Sequence, residues 1–185
     1  IRVATTDTMA ATFVLPAIAQ LRQRHPGIDV VCMASKSIAN LTKREADVAV
    51  RTLRPDSPRK WGELTVDQVF WHLTQGLLMC MGQLDLSHEK SPFPFPMPAS
   101  LARFFVLEMP WPKGVPTLKI SLPERGAKYD LEAERARTLA TIEEFVARPL
   151  RGPWPQHPIL GDMTGEQYSR LQAKHINHHL VQFSA

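Results

Sequence analysis

The sequence predicts an α+β protein in which a mainly α-helical, four-helix up-down bundle follows a truncated β-α-β segment. Three observations support this class: two short β-branched runs near the start, several capped helical stripes later on, and a change of composition near residue 55. Residues 1–55 hold eight Lys or Arg and four Asp or Glu, whereas residues 56–185 hold fourteen of each. Such a shift indicates two pieces of different origin, which we place at residues 1–52 and 53–185.

The first piece reads as alternating strands and helices. Ile1–Thr5 is apolar and β-branched, which favours a buried strand. Ala10–Arg24 has apolar residues at helical spacing and ends at a Pro-Gly stop. Pro16 lies inside this stretch, and a helix tolerates proline only in its first turn. Ile28–Met33 is expected to form a second strand, parallel to the first because a helix connects them.

Residues 37–53 fit two structures. In one, Ser37–Ala46 forms a short helix and Asp47–Arg51 a third strand. In the other, Asn40–Leu53 forms the first helix of the bundle, within the broader stretch 38–53 that precedes it. The second alternative leaves residues 1–35 as a strand–helix–strand appendage with an exposed edge, which invites pairing with another chain and so a homodimer. The sequence leaves both open.

The second piece carries clear helix signals between proline-rich connections. Thr65 and Thr164 each begin a Thr-x-x-Gln capping box, which predicts helices over about 65–82 and 164–183. Asp130 is a candidate N-cap for a helix to about Ala147. A weaker helix is expected at Ala99–Leu107. The connections between these helices, three proline-rich stretches, are predicted to be loops.

Three histidines hold the chemistry predicted for the second piece. His175 and His179 are four residues apart on one helix, so their rings lie on one face, one turn apart. This spacing allows two imidazoles to share one metal ion. His72 lies within the apolar stripe of another helix. Three neutral imidazoles would suit Zn²⁺, Ni²⁺, Fe²⁺ or Mn²⁺. The alternatives are a hydrogen-bonded core histidine at 72 and a chance pair on a surface helix.

Composition excludes several classes of protein. No apolar run approaches the roughly 18 residues of a membrane helix, so no membrane partner is expected. Cys32 and Cys80 make no disulfide framework and no cysteine-based zinc motif, which predicts a cytoplasmic protein. The net charge of +4 is diffuse, so direct nucleic-acid binding is not expected. The start at Ile1, without Met or signal peptide, is expected of a fragment.

Part of the first piece resembles a known family. The stretches IRVATTDTMAATFVLPAIAQLRQRHPGIDV and ANLTKREADVAVR, within residues 1–52, look like the start of the effector-binding domain of LysR-type transcriptional regulators. The resemblance implies a half domain that senses a small molecule, with Thr5, Thr6 and Thr8 at the mouth of the effector cleft. The family's DNA-binding domain and second subdomain have no counterpart in the sequence. The alternative for Thr5–Thr8, which the sequence favours, is a simple helix cap.

The second piece resembles another family. The stretches RKWGELTVDQVFWHLTQGLLMCMG, MPWPKGVPT and HPILGDMTGEQYSRLQAKHINHHLVQF look like the DinB-like four-helix bundle superfamily, and within it an uncharacterised subgroup ending in HHLxQF. The resemblance covers about residues 53–185 and implies a divalent metal on His72, His175 and His179. It also implies that Gln182 orients a ligand, with His178 pointing to solvent or acting as an outer partner.

These resemblances imply two competing functions. The first is a divalent-metal-binding protein, either a hydrolase or a transferase acting on a small molecule such as a low-molecular-weight thiol. Whether it is an enzyme stays open, and no residue in the sequence fixes a substrate or a catalytic group. The alternative is an effector-binding fragment of a LysR-type regulator without its DNA-binding domain.

Overall fold

The computed structural model divides the chain into two compact units, Ile1–Ala39 and Asn40–Ala185. The structure describes residues 2–5, 14–25, 27–28, 30–34, 50–51, 53–92 and 97–183. Each unit is described by itself below.

The first unit contains two strands and one helix. Strands β1 (Arg2–Thr5) and β2 (Val31–Ala34) pair in parallel, with Arg2 opposite Val31 and Thr5 opposite Ala34. Helix α1 (Leu15–Arg24) lies between them in sequence. Pro16 is the second residue of α1, where its missing N–H has no intrahelical partner to lose, so the helix accommodates it.

The second unit contains four helices among its described residues. They are α2 (Val66–Cys80), α3 (Ala99–Glu108), α4 (Leu131–Ala147) and α5 (Gly165–Gln182), with a 3₁₀ turn at Lys119–Ser121.

The polar caps of these helices form as the sequence indicates. The backbone N–H of Thr65 donates to Gln68 Oε1 at 3.1 Å, and that of Thr164 donates to Gln167 Oε1 at 2.9 Å. Asp130 Oδ1 accepts from the N–H of Ala133 at 2.8 Å. Each of these hydrogen bonds satisfies a backbone N–H group at the start of α2, α4 or α5. The sequence therefore sets where these three helices begin.

The core of the second unit lies around α2. This helix packs against α4, α5 and the 3₁₀ turn, and α3 packs against α5. Val69, Phe70 and Leu77 on α2 are fully buried, as are Ile142 on α4 and Tyr168 on α5. Because α2 is apolar on most of its surface, it takes the central position and brings His72 into the interior.

The predicted α+β class is wrong for the described part of the chain, which is mainly helical. The two strands are four residues each and pair only with each other among the described residues, so no sheet layer supports a helical layer. The helical-bundle part of the prediction is compatible with the structure.

Of the two alternatives for residues 37–53, the described residues favour the helix over the third strand at Asp47–Arg51. Val50 and Arg51 are helical. Val50 and Leu53, three residues apart, are both 1% exposed and belong to the core of the second unit. Burial at a spacing of three favours a helix over a strand, whose buried residues alternate. Residues 40–49 lie outside the described residues, so the first bundle helix and the boundary at residue 52 stay predictions.

No helix among the described residues combines the length and the apolar character that crossing a membrane requires.

Candidate metal centre

Three histidine rings converge inside the second unit. His72 comes from α2, and His175 and His179 come from successive turns of α5. Their candidate ligand nitrogens all lie within 4.8 Å of one another. The ring centroids are 4.8 Å apart for His72 and His175, 5.0 Å for His72 and His179, and 5.1 Å for His175 and His179. The three residues expected from the sequence are therefore brought together.

A glycine on α2 makes room for this convergence. Gly76 lies one turn after His72, and a Cβ atom added there would sit 3.2 Å from Cε1 of His175. Few real Cβ atoms come so close to a neighbour, so the imidazole occupies the space that a side chain would take. Glycine inside a helix costs about 0.5–1 kcal/mol relative to alanine, and here that cost coincides with the close approach of the His175 ring.

Hydrogen bonds hold the outer nitrogens of two of the rings. His72 Nδ1 lies 2.5 Å from the backbone oxygen of Ser121 in the 3₁₀ turn. A carbonyl oxygen only accepts, so Nδ1 carries the hydrogen and Nε2 keeps its lone pair. His179 Nδ1 lies 2.7 Å from Gln182 Oε1, and Gln182 Nε2 donates to the oxygen of Trp61 at 2.8 Å. The Trp61 carbonyl orients the Gln182 amide, so its oxygen accepts from His179 and frees Nε2.

Gly62 is required by the same chain of contacts. It has φ of 74°, a region that favours glycine, and a Cβ atom there would collide with Nε2 of Gln182. The Trp-Gly pair at 61 and 62 thus supplies both the acceptor and the space for the amide that orients His179.

His175 is the one ring of the three whose outer nitrogen has no hydrogen-bond partner among the described residues. Its Nε2 lies 2.8 Å from Nε2 of His72, a distance that allows one hydrogen bond between the two rings. Gln172, one turn earlier on α5, has a buried Oε1 without a partner. Both His175 Nδ1 and Gln172 Oε1 lie within 4 Å of the position of a Cβ on Gly76. Gln172 Oε1 is therefore a buried, unpaired acceptor in the neighbourhood of the His175 ring.

Burial keeps all three imidazoles uncharged. It lowers the pKa of His72 and, reinforced by the other histidines, lowers the pKa of His175 well below 6.5. The pKa of His179 falls to about 3, mainly through burial and secondarily through His72. The neutral ring is the form that donates a lone pair to a metal, so the ligand form prevails at neutral pH.

The other expected site residues fall in different places. Gln182 Oε1 accepts a hydrogen bond from His179 Nδ1, and its role toward a ligand stays a prediction. The ring of His178 lies 6.0 Å from that of Trp61 and 5.6 Å from that of Trp111, in an aromatic wall beside the cluster rather than in it. Thr5 ends β1, and Thr6 and Thr8 lie outside the described residues.

The free thiol of Cys80 takes no part in the cluster. It is fully buried, it accepts a hydrogen bond from Gln172 Nε2 at 2.9 Å, and burial raises its pKa to about 12. A thiol with so high a pKa is not a nucleophile at neutral pH.

Sequence reasoning missed Gly76, Gln172 and the Ser121 carbonyl. The role of Gly76 could have been predicted, because a glycine inside a helix, one turn from a candidate ligand, indicates that another group approaches the helix closely there. Gln172 shares the α5 face of His175 at a spacing of three, a weaker signal. The Ser121 carbonyl had none, since its role depends on where a loop passes.

A cavity of about 250 Å³ opens beside the three histidines. Its walls include Trp61, Trp111 and the buried Leu118, Leu160 and Leu171. The cluster therefore has space next to it for a small molecule.

Comparison with known proteins found one family likeness in the chain. Residues 1–78 match the family model described as the LysR substrate binding domain, which is less than half of the 185 residues. The match supports the resemblance seen at residues 1–52 and extends beyond it into α2, where it includes His72 but neither His175 nor His179. No curated protein and no solved structure matches the chain. The chain is thus similar to that domain over its first 78 residues.

Proposed function

We propose that the second unit binds one divalent metal ion through Nε2 of His72, His175 and His179. The observation that carries this proposal is the convergence of three neutral imidazoles, two of which have their Nδ1 hydrogens held by Ser121 and Gln182. Metal-binding histidines ordinarily donate their second nitrogen in this way, which fixes the tautomer and the ring orientation.

The three imidazole donors suit a metal ion that is intermediate between hard and soft in its ligand preference. Three imidazoles without a carboxylate or thiolate suit Zn²⁺, Ni²⁺ or Fe²⁺, whereas Mn²⁺ prefers oxygen ligands. Three protein ligands leave coordination positions open, as in catalytic sites. A bound divalent metal supplies Lewis-acid chemistry that lowers the pKa of a water or a thiol reaching it, which suits a metal-dependent hydrolase or a thiol transferase of DinB-like type.

The residues around the site would orient the ligand rings and bind the substrate. Ser121 and Gln182 hold two rings in the ligand tautomer, and Gln172 offers the acceptor that His175 needs when its Nε2 binds a metal. The apolar cavity beside the cluster would bind the substrate and limit the access of water.

Metal analysis of the purified protein tests this proposal. We expect about one equivalent of divalent metal per chain after incubation with Zn²⁺ and removal of the excess. His175→Ala/His179→Ala should lose it, whereas His88→Ala, at an exposed loop position, should keep it. A folded wild-type protein that takes up no metal at neutral pH contradicts the proposal.

The family match favours a second candidate function for the beginning of the chain. We propose that the matched region, residues 1–78, senses a small-molecule effector as LysR substrate binding domains do, with Thr5, Thr6 and Thr8 contacting the effector. The match is the observation that supports this function, and it requires no metal. A panel of small organic acids should then raise the melting temperature, and a Thr5→Ala/Thr6→Ala/Thr8→Ala variant should lose that shift. A shift that survives the triple substitution argues against the threonine site.

A further inference from the structure

Apolar side chains form much of the wall of the cavity beside the three histidines. Trp61 and Trp111 present aromatic rings, and Leu118, Leu160 and Leu171 present aliphatic side chains that are 2–6% exposed. The histidine cluster forms another part of the lining. A ligand that fills the cavity would therefore touch carbon on most sides and reach the imidazole nitrogens with one end.

The charge of the walls restricts the ligand further. Glu63 is the one charged residue among the described residues that line the cavity, and no Lys or Arg lines it there. Carboxylate and phosphate ligands are ordinarily met by Arg, Lys or backbone N–H groups, because an unpaired anion in an apolar site is costly. Away from the metal, the walls therefore offer an anionic group no cationic partner.

Two lysines lie against the aromatic rings of the cavity wall. Lys174 Nζ lies 5.5 Å from the centre of the Trp111 ring and donates to the backbone oxygens of Val106 and Met109 at 2.7 and 2.5 Å, close to the end of α3. Lys113 Nζ lies 5.2 Å from the centre of the Trp61 ring. Both cations thus contact aromatic rings of the wall without lining the cavity.

The volume limits the part of a ligand that the cavity can enclose. An apolar cavity of about 150 Å³ holds benzene, so one of about 250 Å³ has room for on the order of ten non-hydrogen atoms. A peptide-like thiol with charged ends is larger than this and carries carboxylates that the walls do not match.

We infer that the cavity binds a small, uncharged, apolar molecule, aromatic or aliphatic, that directs a single thiol or hydroxyl group to the histidine cluster. This inference rests on the proposed metal site for the role of the head group. The apolar walls exist without the metal, so the choice of ligand body is independent of it.

Calorimetric titration with three probes tests the ligand class. Benzyl mercaptan has an apolar body and a thiol, toluene has the body alone, and glutathione has a thiol with charged ends. We expect benzyl mercaptan to bind the Zn²⁺-loaded protein at least tenfold more tightly than glutathione does. We expect toluene to bind the Zn²⁺-loaded and metal-free proteins within about threefold of each other. Glutathione binding as tightly as benzyl mercaptan, or no binding of toluene to either form, overturns the inference.

A pair of variants locates the binding. Val115 lines the cavity from a loop, and Val115→Trp should fill it and weaken toluene binding at least tenfold. Val181, which is 46% exposed on α5 and does not line the cavity, provides the control Val181→Trp, which should stay within twofold of wild type. Equal binding by both variants overturns the assignment, provided that circular dichroism shows both folded.

The same experiment separates this inference from the metal proposal. If the protein takes up no metal, the metal site fails, yet toluene binding that Val115→Trp abolishes still supports an apolar ligand. If the protein takes up metal and prefers glutathione, the metal site stands and the apolar ligand class is overturned.

Discussion

The helices α1 and α2 belong to different units and differ most in what surrounds them. None of the ten residues of α1 is buried, whereas ten of the fifteen residues of α2 are. Both helices carry apolar residues at helical spacing, so the pattern alone does not separate them. The difference shows that the second unit has a packed core that can hold side chains in fixed positions, and His72 owes its place in the cluster to that core.

The largest expected effect is the difference in the free energy of unfolding between two Leu→Ala variants, one in each of these helices. Leu73 on α2 is 1% exposed, and Leu73→Ala should lower the free energy of unfolding by about 2–5 kcal/mol, because it leaves a cavity in the core. Leu15 on α1 is 52% exposed, and Leu15→Ala should change it by less than about 0.5 kcal/mol. Urea unfolding followed by circular dichroism measures both, and equal losses would remove the contrast between the helices.

The next effect is the dependence of stability on pH in the metal-free protein. The pKa values of His72, His175 and His179 are lowered in the folded state, so the unfolded chain binds more protons below pH 6.5. Stability from these groups is complete above the unfolded pKa and is lost as the pH falls from about 6.5 toward the folded values. His179, whose folded pKa is about 3, adds up to about 1.4 kcal/mol per pH unit below pH 6.5, and His72 and His175 add to the slope in the same direction.

Urea unfolding between pH 7 and pH 5 checks this slope. His179→Gln should reduce it by about 1.4 kcal/mol per pH unit, since one such group is gone. Gln20→Leu, at an exposed position on α1, removes no titratable group and should leave the slope unchanged. A slope that is the same in both variants would mean that His179 is not buried in its neutral form.

A smaller effect concerns the orientation of His179. Gln182→Leu removes the acceptor for His179 Nδ1 and should weaken Zn²⁺ binding about 10–100-fold, the usual cost of losing such an outer partner. Gln20→Leu, at an exposed position on α1, is the matched control and should bind as wild type does. Competition with a chromophoric chelator gives both affinities, and a Gln182→Leu protein that binds normally would remove Gln182 from the site.

The smallest effect tests the close approach at Gly76. Gly76→Ala should displace the His175 ring by a few tenths of an ångström and weaken Zn²⁺ binding by about three- to tenfold, although alanine favours the helix. Gly27, in the first unit, has nothing within 4 Å of an added Cβ, so Gly27→Ala should leave binding unchanged. Chelator competition is again the measurement, and unchanged binding in both variants would show that His175 adapts freely.

Prediction from the sequence was most accurate for features that depend on residues close together in the chain. The Thr-x-x-Gln pairs at 65 and 164 mark helix starts because a cap involves residues three apart. The sequence did not decide between helix and strand at residues 50 and 51, which are helical, since Val50 and Leu53 contribute to a core made by distant residues. The prediction of an α+β fold failed for a related reason. The two short strands pair only with each other among the described residues and do not form part of a larger sheet.

The sequence by itself determined the helices of the second unit and the one-turn spacing of His175 and His179, since both follow from the 3.6-residue period of a helix. Only the tertiary structure decided that His72 meets them, that the Ser121 carbonyl holds the His72 ring, that the Trp61 carbonyl orients Gln182, and that an apolar cavity lies alongside. The partners in these contacts are 49 residues apart for His72 and Ser121 and 103 apart for His72 and His175. Contacts over such separations depend on how helices pack and where loops pass, which no local pattern encodes.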